Sequence, residues 1–220
     1  MDNAVGSLQL PKILRARKNL SLAITDRQRE ILIGCILGDA HIQKLGKIII
    51  EQSSRQKDYL LWKYSELKNL CYPAKPAKII RIDKRNNKKY YSNVFYLRQY
   101  FREWREIFYK ENKKVFPDNL LLTPLSVAVW YMDDGCFSQE KSTISIEGFS
   151  EENRNKVQKV FYEQFKIETV IGKSKKLVIR KKSQDKFYDL IRPYIVPSME
   201  YKIPCKPRND FPPTRRRSKV

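Results

Sequence analysis

Histidine and cysteine are scarce in this sequence, with one His and four Cys among 220 residues. The cysteines (Cys35, Cys71, Cys136 and Cys205) are scattered and form no C-x-x-C pair. That argues against a zinc site and a disulfide framework, and fits a reducing compartment. Long apolar runs are missing too. Stretches such as Ile31 to Leu37 fall far short of the roughly 20 residues a membrane-spanning helix needs. No apolar stretch near the N-terminus precedes a small-residue cleavage site of the kind that ends a signal peptide. Acidic side chains are few: 24 Asp and Glu stand against 45 Lys and Arg, a formal net charge of +21.

What is present is a folding sequence. Hydrophobic residues make up 41%, with 13 Tyr, 10 Phe and 3 Trp, enough to bury a core in one unit or two smaller ones. The positive field attracts polyanions, and nucleic acid is the commonest polyanion that demands such a field. A protein that binds membrane surfaces concentrates its charge in one basic amphipathic helix or polybasic cluster. Here the excess runs along the whole chain, so the sequence predicts a nucleic-acid partner and no membrane.

One unit is written twice between residues 26 and 206. Residues 1–25 read as an N-terminal arm, 26–122 as a first half, 123–206 as a second half, and 207–220 as a basic tail broken by prolines. Each half opens with a very apolar helix that ends in Asp, over Arg29 to Asp39 and Pro124 to Asp134. Pro124 suits the first turn of a helix, with Thr123 as its N-cap. An alternating strand follows, at Lys47 to Ser53 and at Ser142 to Gly148. A serine then starts an amphipathic helix: Ser54 follows Asp39 by 15 residues and Ser150 follows Asp134 by 16. Two more strands come next, near 78–83 and 90–99, then near 167–171 and 176–182. Closing helices carry Phe101, Trp104 and Phe108, then Phe187, Ile191 and Tyr194. A lysine shortly before a proline ends each copy, in Lys114-Val-Phe-Pro and Lys202-Ile-Pro. The order α-β-α-β-β-α, twice, predicts an α+β fold with pseudo-two-fold symmetry and two antiparallel sheets.

The two helices ending in Asp carry the chemistry. Ile31-Leu-Ile-Gly-Cys-Ile-Leu-Gly-Asp is apolar on every side and predicted to be buried. Gly34 and Gly38 share one face, which suggests that another backbone packs closely there, and Ala128-Val-Trp-Tyr-Met-Asp-Asp-Gly is its mate. Asp39 and Asp134 place negative charge at the helix end whose carbonyls already carry it. Side-by-side packing would bring the carboxylates together, so a cation is called for, and hard oxygen ligands suit Mg²⁺. A cation at the junction of two basic halves suggests phosphodiester hydrolysis.

At these residues the chain resembles the LAGLIDADG homing endonucleases, in particular their monomeric two-motif members. The nine-residue motif maps onto Leu32-Ile-Gly-Cys-Ile-Leu-Gly-Asp-Ala and Val127-Ala-Val-Trp-Tyr-Met-Asp-Asp-Gly, with Leu122-Thr-Pro-Leu-Ser leading into the second. The resemblance implies a saddle of αββαββα-like halves that makes double-strand breaks at a long asymmetric DNA site during intron homing. It implies Asp39 and Asp134 as metal-binding carboxylates, with the backbone carbonyls of Gly38 and Asp133 as accessory ligands. Lys114 and Lys202 would be pocket lysines that position water or neutralise charge. The metal would be Mg²⁺, with Ca²⁺ or Mn²⁺ able to replace it for binding. Family members are often encoded in organellar introns, which is compatible with a mitochondrion or chloroplast and leaves the compartment open. The first motif departs from the family's letters, with Leu-Gly-Asp-Ala in place of Asp-Ala-Asp-Gly. In the second, Asp133 stands where the pattern has a small residue, which leaves open whether Asp133 or Asp134 reaches the metal.

One parity of the strands is apolar enough to pack under helices: Ile48 and Ile50, Ile80 and Ile82, Phe95 and Leu97, Leu177 and Ile179. The opposite parity offers Lys47, Glu51, Ser53, Arg81, Arg85 and Arg98 in the first half. In the second it offers Thr143, Ser145, Glu147, Lys176, Arg180 and Lys182. Such groups read base edges, Arg and Lys at guanine and Glu at cytosine. A ten-residue strand spans roughly 33 Å, close to the roughly 34 Å of one duplex turn, so two sheets would cover about two turns. The alternatives are an RNA-binding intron maturase on the same fold, a DNA binder that does not cut, and a membrane-surface protein.

Overall fold

The computed structural model describes Leu8 and residues 10–16 and 20–204. In chain order the elements of the first half are β1 (Ile13–Arg15), β2 (Ser21–Ala23), α1 (Asp26–Leu37), β3 (His41–Ile42), β4 (Ile48–Ser53), α2 (Lys57–Leu67), β5 (Ala77–Ile82), β6 (Lys89–Tyr96), α3 (Arg102–Phe108), β7 (Tyr109–Lys110) and β8 (Lys113–Lys114). The second half comprises α4 (Pro124–Asp134), β9 (Gly135–Ser138), β10 (Lys141–Ile144), α5 (Glu151–Phe165), β11 (Thr169–Ile171), β12 (Leu177–Ile179) and α6 (Gln184–Ile191). Each half contains one antiparallel four-stranded sheet, in the order β3-β4-β6-β5 and β11-β12-β10-β9.

The repeated unit is therefore αββαββα. Reading α-β-α-β-β-α from the sequence misses β3 and β9, because strands of two and four residues are too short to show an alternating pattern. Helix α1 also begins at Asp26, three residues before Arg29. Thr25 and Gln28 close a capping box there: Thr25 Oγ1 accepts from the Gln28 amide at 3.1 Å, and Gln28 Oε1 from the Thr25 amide at 3.2 Å. At the start of α4, Thr123 and Ser126 form the same reciprocal cap, with Pro124 in the first turn.

Helices α1 and α4 lie side by side through the centre of the molecule, with Ile31 to Leu37 and Leu125 to Asp133 buried. Gly34 makes that approach possible. A Cβ there would lie 2.5 Å from the Ser126 carbonyl oxygen and 2.6 Å from Val129 Cβ, closer than real atoms stand. The helix interior cost of glycine, about 1 kcal/mol, is offset by the apolar surface the contact removes from water.

The β1–β2 hairpin packs Leu10, Leu14 and Ile24 into the core, and Trp104 Nε1 donates to the Pro11 carbonyl at 3.3 Å. Over the described residues the N-terminal segment thus packs onto the first half. Cys205 and the basic tail 207–220 lie outside the described residues.

In β4 the residues Ile48, Ile50 and Gln52 face the helices, while Ile49, Glu51 and Ser53 face away. Leu177 and Ile179 are buried as expected. Ile80 and Ile82 are not: they are 59% and 56% exposed. Most of β5 and the first three residues of β6 are exposed too, because among the described residues no helix covers this end of the hairpin.

Candidate active site at the paired helix ends

The close approach of α1 and α4 brings their C-terminal ends together. The Asp39 amide donates to Asp133 Oδ2 at 3.3 Å, so the first motif aspartate lies directly against the second motif. A Cβ on Gly38 would lie 2.6 Å from Asp133 Cβ, and only a residue without a side chain fits there. Asp39 is exposed and Asp134 half-buried. Burial and the charges of Asp39 and Asp133 push the Asp134 carboxyl up to about 7. Burial is the larger cause of that rise, with the two neighbouring carboxylates adding to it.

Two lysines approach from matched directions. Lys114 Nζ donates to the carbonyls of Gly38 at 2.7 Å and Ala40 at 3.3 Å. Lys202 Nζ donates to those of Met132 at 2.6 Å and Asp133 at 2.8 Å. Each ammonium thus sits on the negative end of one motif helix. Burial pushes both lysine pKa values down, against the pull of the aspartates around them. Different local structures present the two. Lys114 is in the β7–β8 hairpin, whereas Lys202 closes a 3-10 turn over Pro197–Lys202 and its carbonyl accepts from the Tyr131 hydroxyl at 2.9 Å.

Asp133 and Asp134 have different surroundings. The Asp133 carboxylate is fully buried and pairs with the equally buried Lys63 ammonium at 2.5 Å. Burial works against the Lys63 ammonium, yet Asp133 beside it lifts its pKa. Asp134 instead lines a cleft of about 300 Å³ with Gly38, Lys114, Ser145, Glu147 and Phe149. Gln52 also belongs to the site: its Nε2 donates to Asp39 Oδ2 at 2.9 Å and to Asp133 Oδ1 at 3.2 Å. Neither Gln52 nor Lys63 was picked out from the sequence. The readable signal for Lys63 is its place in α2, four residues from both Tyr59 and Leu67 on the buried face.

Among the described residues no group of three or more His, Cys, Asp or Glu side chains is arranged to hold a metal ion. Two carboxylates with backbone oxygens beside them still fit Mg²⁺, which keeps several waters and takes only one or two carboxylates alongside substrate phosphates. The carboxyl raised to about 7 at Asp134 is what an adjacent cation would reverse.

The expected base-reading groups divide by position. Glu51 and Arg81 share the outward face of the first sheet and form a bidentate pair at 2.9 and 2.5 Å, with Ser92 Oγ donating to Glu51 at 2.6 Å. Ser53 ends β4 on the same face, and Lys47 lies over the Tyr96 ring at 4.1 Å. Arg98 falls past the end of β6, where its Nε donates to the Cys71 carbonyl at 2.9 Å. Arg85 sits in the β5–β6 turn against Asp83. In the second half Thr143 lies on β10, while Ser145 and Glu147 follow it on the cleft wall. Lys176 stands 3.7 Å from Glu147, and Arg180 and Lys182 pair with Glu168 at 3.9 and 2.6 Å. Lys182 belongs to a 3-10 turn and not to a strand.

Residues 29–187 match the model of the LAGLIDADG DNA endonuclease family. The chain belongs to that family. It is 31% identical over 198 residues to the cytochrome b mRNA maturase bI2 of Saccharomyces cerevisiae, covering 79% of this chain and 46% of the relative. It is 28% identical over 208 residues to a Protein RecA of Mycolicibacterium flavescens, covering 82% and 47%. The DNA endonuclease I-ChuI of Chlamydomonas applanata is 25% identical over 221 residues, covering 83% of this chain and 96% of that one. The chain spans about half the length of the first two of these relatives and nearly all of the third. The structure of the homing endonuclease I-WcaI bound to its DNA recognition sequence has the same fold, with a TM-score of 0.74 at 23% identity over 82% of this chain and 87% of that one. The LAGLIDADG fold, with its two halves and paired sheets, is thus the fold of this protein.

Proposed function

We propose that this LAGLIDADG protein cuts both strands of duplex DNA at one long, asymmetric site by metal-dependent phosphodiester hydrolysis. The observation that carries the reading is the junction of α1 and α4. Asp39 lies against Asp133 of the other half, Asp134 is close enough to feel the charge of Asp39, each helix end is held by a lysine, and a basic protein surrounds them. Asp39 and Asp134 would hold Mg²⁺, with the Gly38 and Asp133 carbonyls beside them. When bound, the metal polarises the phosphate, acidifies water and steadies the leaving oxygen. Lys114 and Lys202 carry positive charge to where phosphate oxygens arrive. Lowered by burial, they are suited to pass protons to or from water in the cleft. Arg81, Lys176, Arg180 and Thr143, on or beside the sheets, would read bases, and lysines in the turns would hold phosphates. Because the halves differ in sequence, the site read is asymmetric. DNA is the partner, and a single chain supplies both halves.

A second reading has one specific support, the 31% identity to a relative named as an mRNA maturase. On it the same fold binds intron RNA, with or without cutting DNA. Digestion of a randomised duplex library decides between the two. Cleavage at one asymmetric sequence with Mg²⁺, and binding without cleavage with Ca²⁺, supports the endonuclease. No cleavage by the wild type with either Mg²⁺ or Mn²⁺, together with tight binding to structured RNA, supports the maturase.

A further inference from the structure

The buried pair beneath the two helix ends belongs to neither the expected metal ligands nor the apolar core. Lys63 and Asp133 are both fully buried and come from opposite halves, 2.5 Å apart. Asp133 has three donors. Oδ1 accepts from Lys63 Nζ and from Gln52 Nε2 at 3.2 Å, and Oδ2 accepts from the Asp39 amide at 3.3 Å. Gln52 Nε2 also donates to Asp39 Oδ2 at 2.9 Å. Asp133 therefore grips Asp39 twice, through its backbone amide directly and through its carboxylate by way of Gln52.

Packing alone does not call for these charges. Replacing a buried ion pair by apolar side chains of similar volume is often neutral or stabilising. The second half has no such charge: the buried residues of α5 are Asn153, Val157 and Phe161, whereas those of α2 include Lys63. On the motif helices, Gly38 stands where α4 has Asp133, so no side chain from α1 grips Asp134 in return.

We propose that Asp133 and Lys63 are positioning residues for Asp39. Asp133 fixes Asp39 from the opposite half, Lys63 neutralises Asp133 so that it adds no third charge to the metal site, and the device serves one strand cut only. The inference rests on the endonuclease reading above, with Asp39 and Asp134 each serving one strand.

The test uses the full chain and a supercoiled plasmid carrying the selected site. Lys63→Met with Asp133→Asn removes both charges together, so no lone ion stays buried, and Asn cannot accept on both sides. In the metal-free protein the Asp39 amide should exchange with solvent at least about tenfold faster, while amides in the α1–α4 core keep their protection. With Mg²⁺, one strand should be cut about 10–100-fold more slowly while the other keeps its rate, as for lost support behind a metal ligand, so nicked circles accumulate. Gln52→Met leaves the ion pair intact, removes only the arm to the Asp39 carboxylate, and should give the same nicked product. If the double variant does not fold, Lys63→Gln with Asp133→Asn, a neutral pair of similar size, is read by the same exchange and strand ratio and decides. A general packing role slows both strands together and leaves their ratio unchanged. That result, or unchanged Asp39 exchange in a folded double variant, overturns the positioning role while wild-type cleavage upholds the endonuclease reading. A wild type that cuts nothing overturns both.

Discussion

The two motif aspartates are held differently: α1 ends at Leu37, before Asp39, whereas Asp134 is the last residue of α4. Asp39 is exposed, bonded by Gln52, and backed by Asp133 from the other half. Asp134 is half-buried in the cleft, and its carboxyl is raised to about 7. Thirteen residues after each aspartate comes a polar side chain, Gln52 in the first half and Glu147 in the second. The first is a neutral amide donating to its carboxylate, and the second is another acid on the cleft wall. A duplicated fold thus places two aspartates at matched motif positions with different local backbone and different electrostatics. Duplication sets where the carboxylates are, while the residues behind them set how each behaves.

Substitutions at the two ends sharpen this contrast, the strongest first. If Asp39 and Asp134 hold the metal as proposed, Asp39→Asn or Asp134→Asn should lower double-strand cleavage about a thousandfold, a loss of several kcal/mol of transition-state stabilisation. Affinity for the duplex, read by gel shift in Ca²⁺, should stay within a few-fold. Lys114→Met and Lys202→Met should each cost about 10²-fold in single-turnover rate. Each should bias the product toward the nick made by the half that keeps its lysine, and equal slowing of both strands would contradict the matched roles.

Gly34→Ala tests the close approach itself. The new methyl meets a backbone carbonyl, and overpacking of this kind costs about 1–3 kcal/mol, read by urea unfolding. A further test is one of pH. A carboxyl raised from 3.8 to about 7 in the folded state holds a proton there that the unfolded chain has lost. Metal-free stability should therefore fall as pH rises from about 4 to 7. Asp134→Asn should flatten that slope, and Mg²⁺ should oppose it, because the ion favours the ionised carboxylate.

Much of this was legible in the residues. The repeated order of elements, the glycines of α1 and the two terminal aspartates each leave a strong local mark: a period, a missing side chain, a charge at the wrong helix end. Harder to read was anything set by a partner distant in sequence. Lys63 in Tyr59-Leu-Leu-Trp-Lys-Tyr resembles a surface cation until Asp133, 70 residues away, is placed beside it. Asp133 was ambiguous beside Asp134 for the same reason, since only burial separates a paired carboxylate from one facing a cleft. Ile80 and Ile82 follow the alternation of a covered strand, yet both are exposed, and no helix among the described residues reaches that end of the hairpin. Strand pattern reports a face, and coverage depends on where a neighbouring helix stops.

The most direct measurement is anomalous diffraction from Mn²⁺ in crystals of the protein bound to its selected duplex. The account predicts metal density between the two helix ends, bonded to carboxylate oxygens of both Asp39 and Asp134 and to a DNA phosphate. Metal bound elsewhere, with either aspartate facing only solvent, would contradict it.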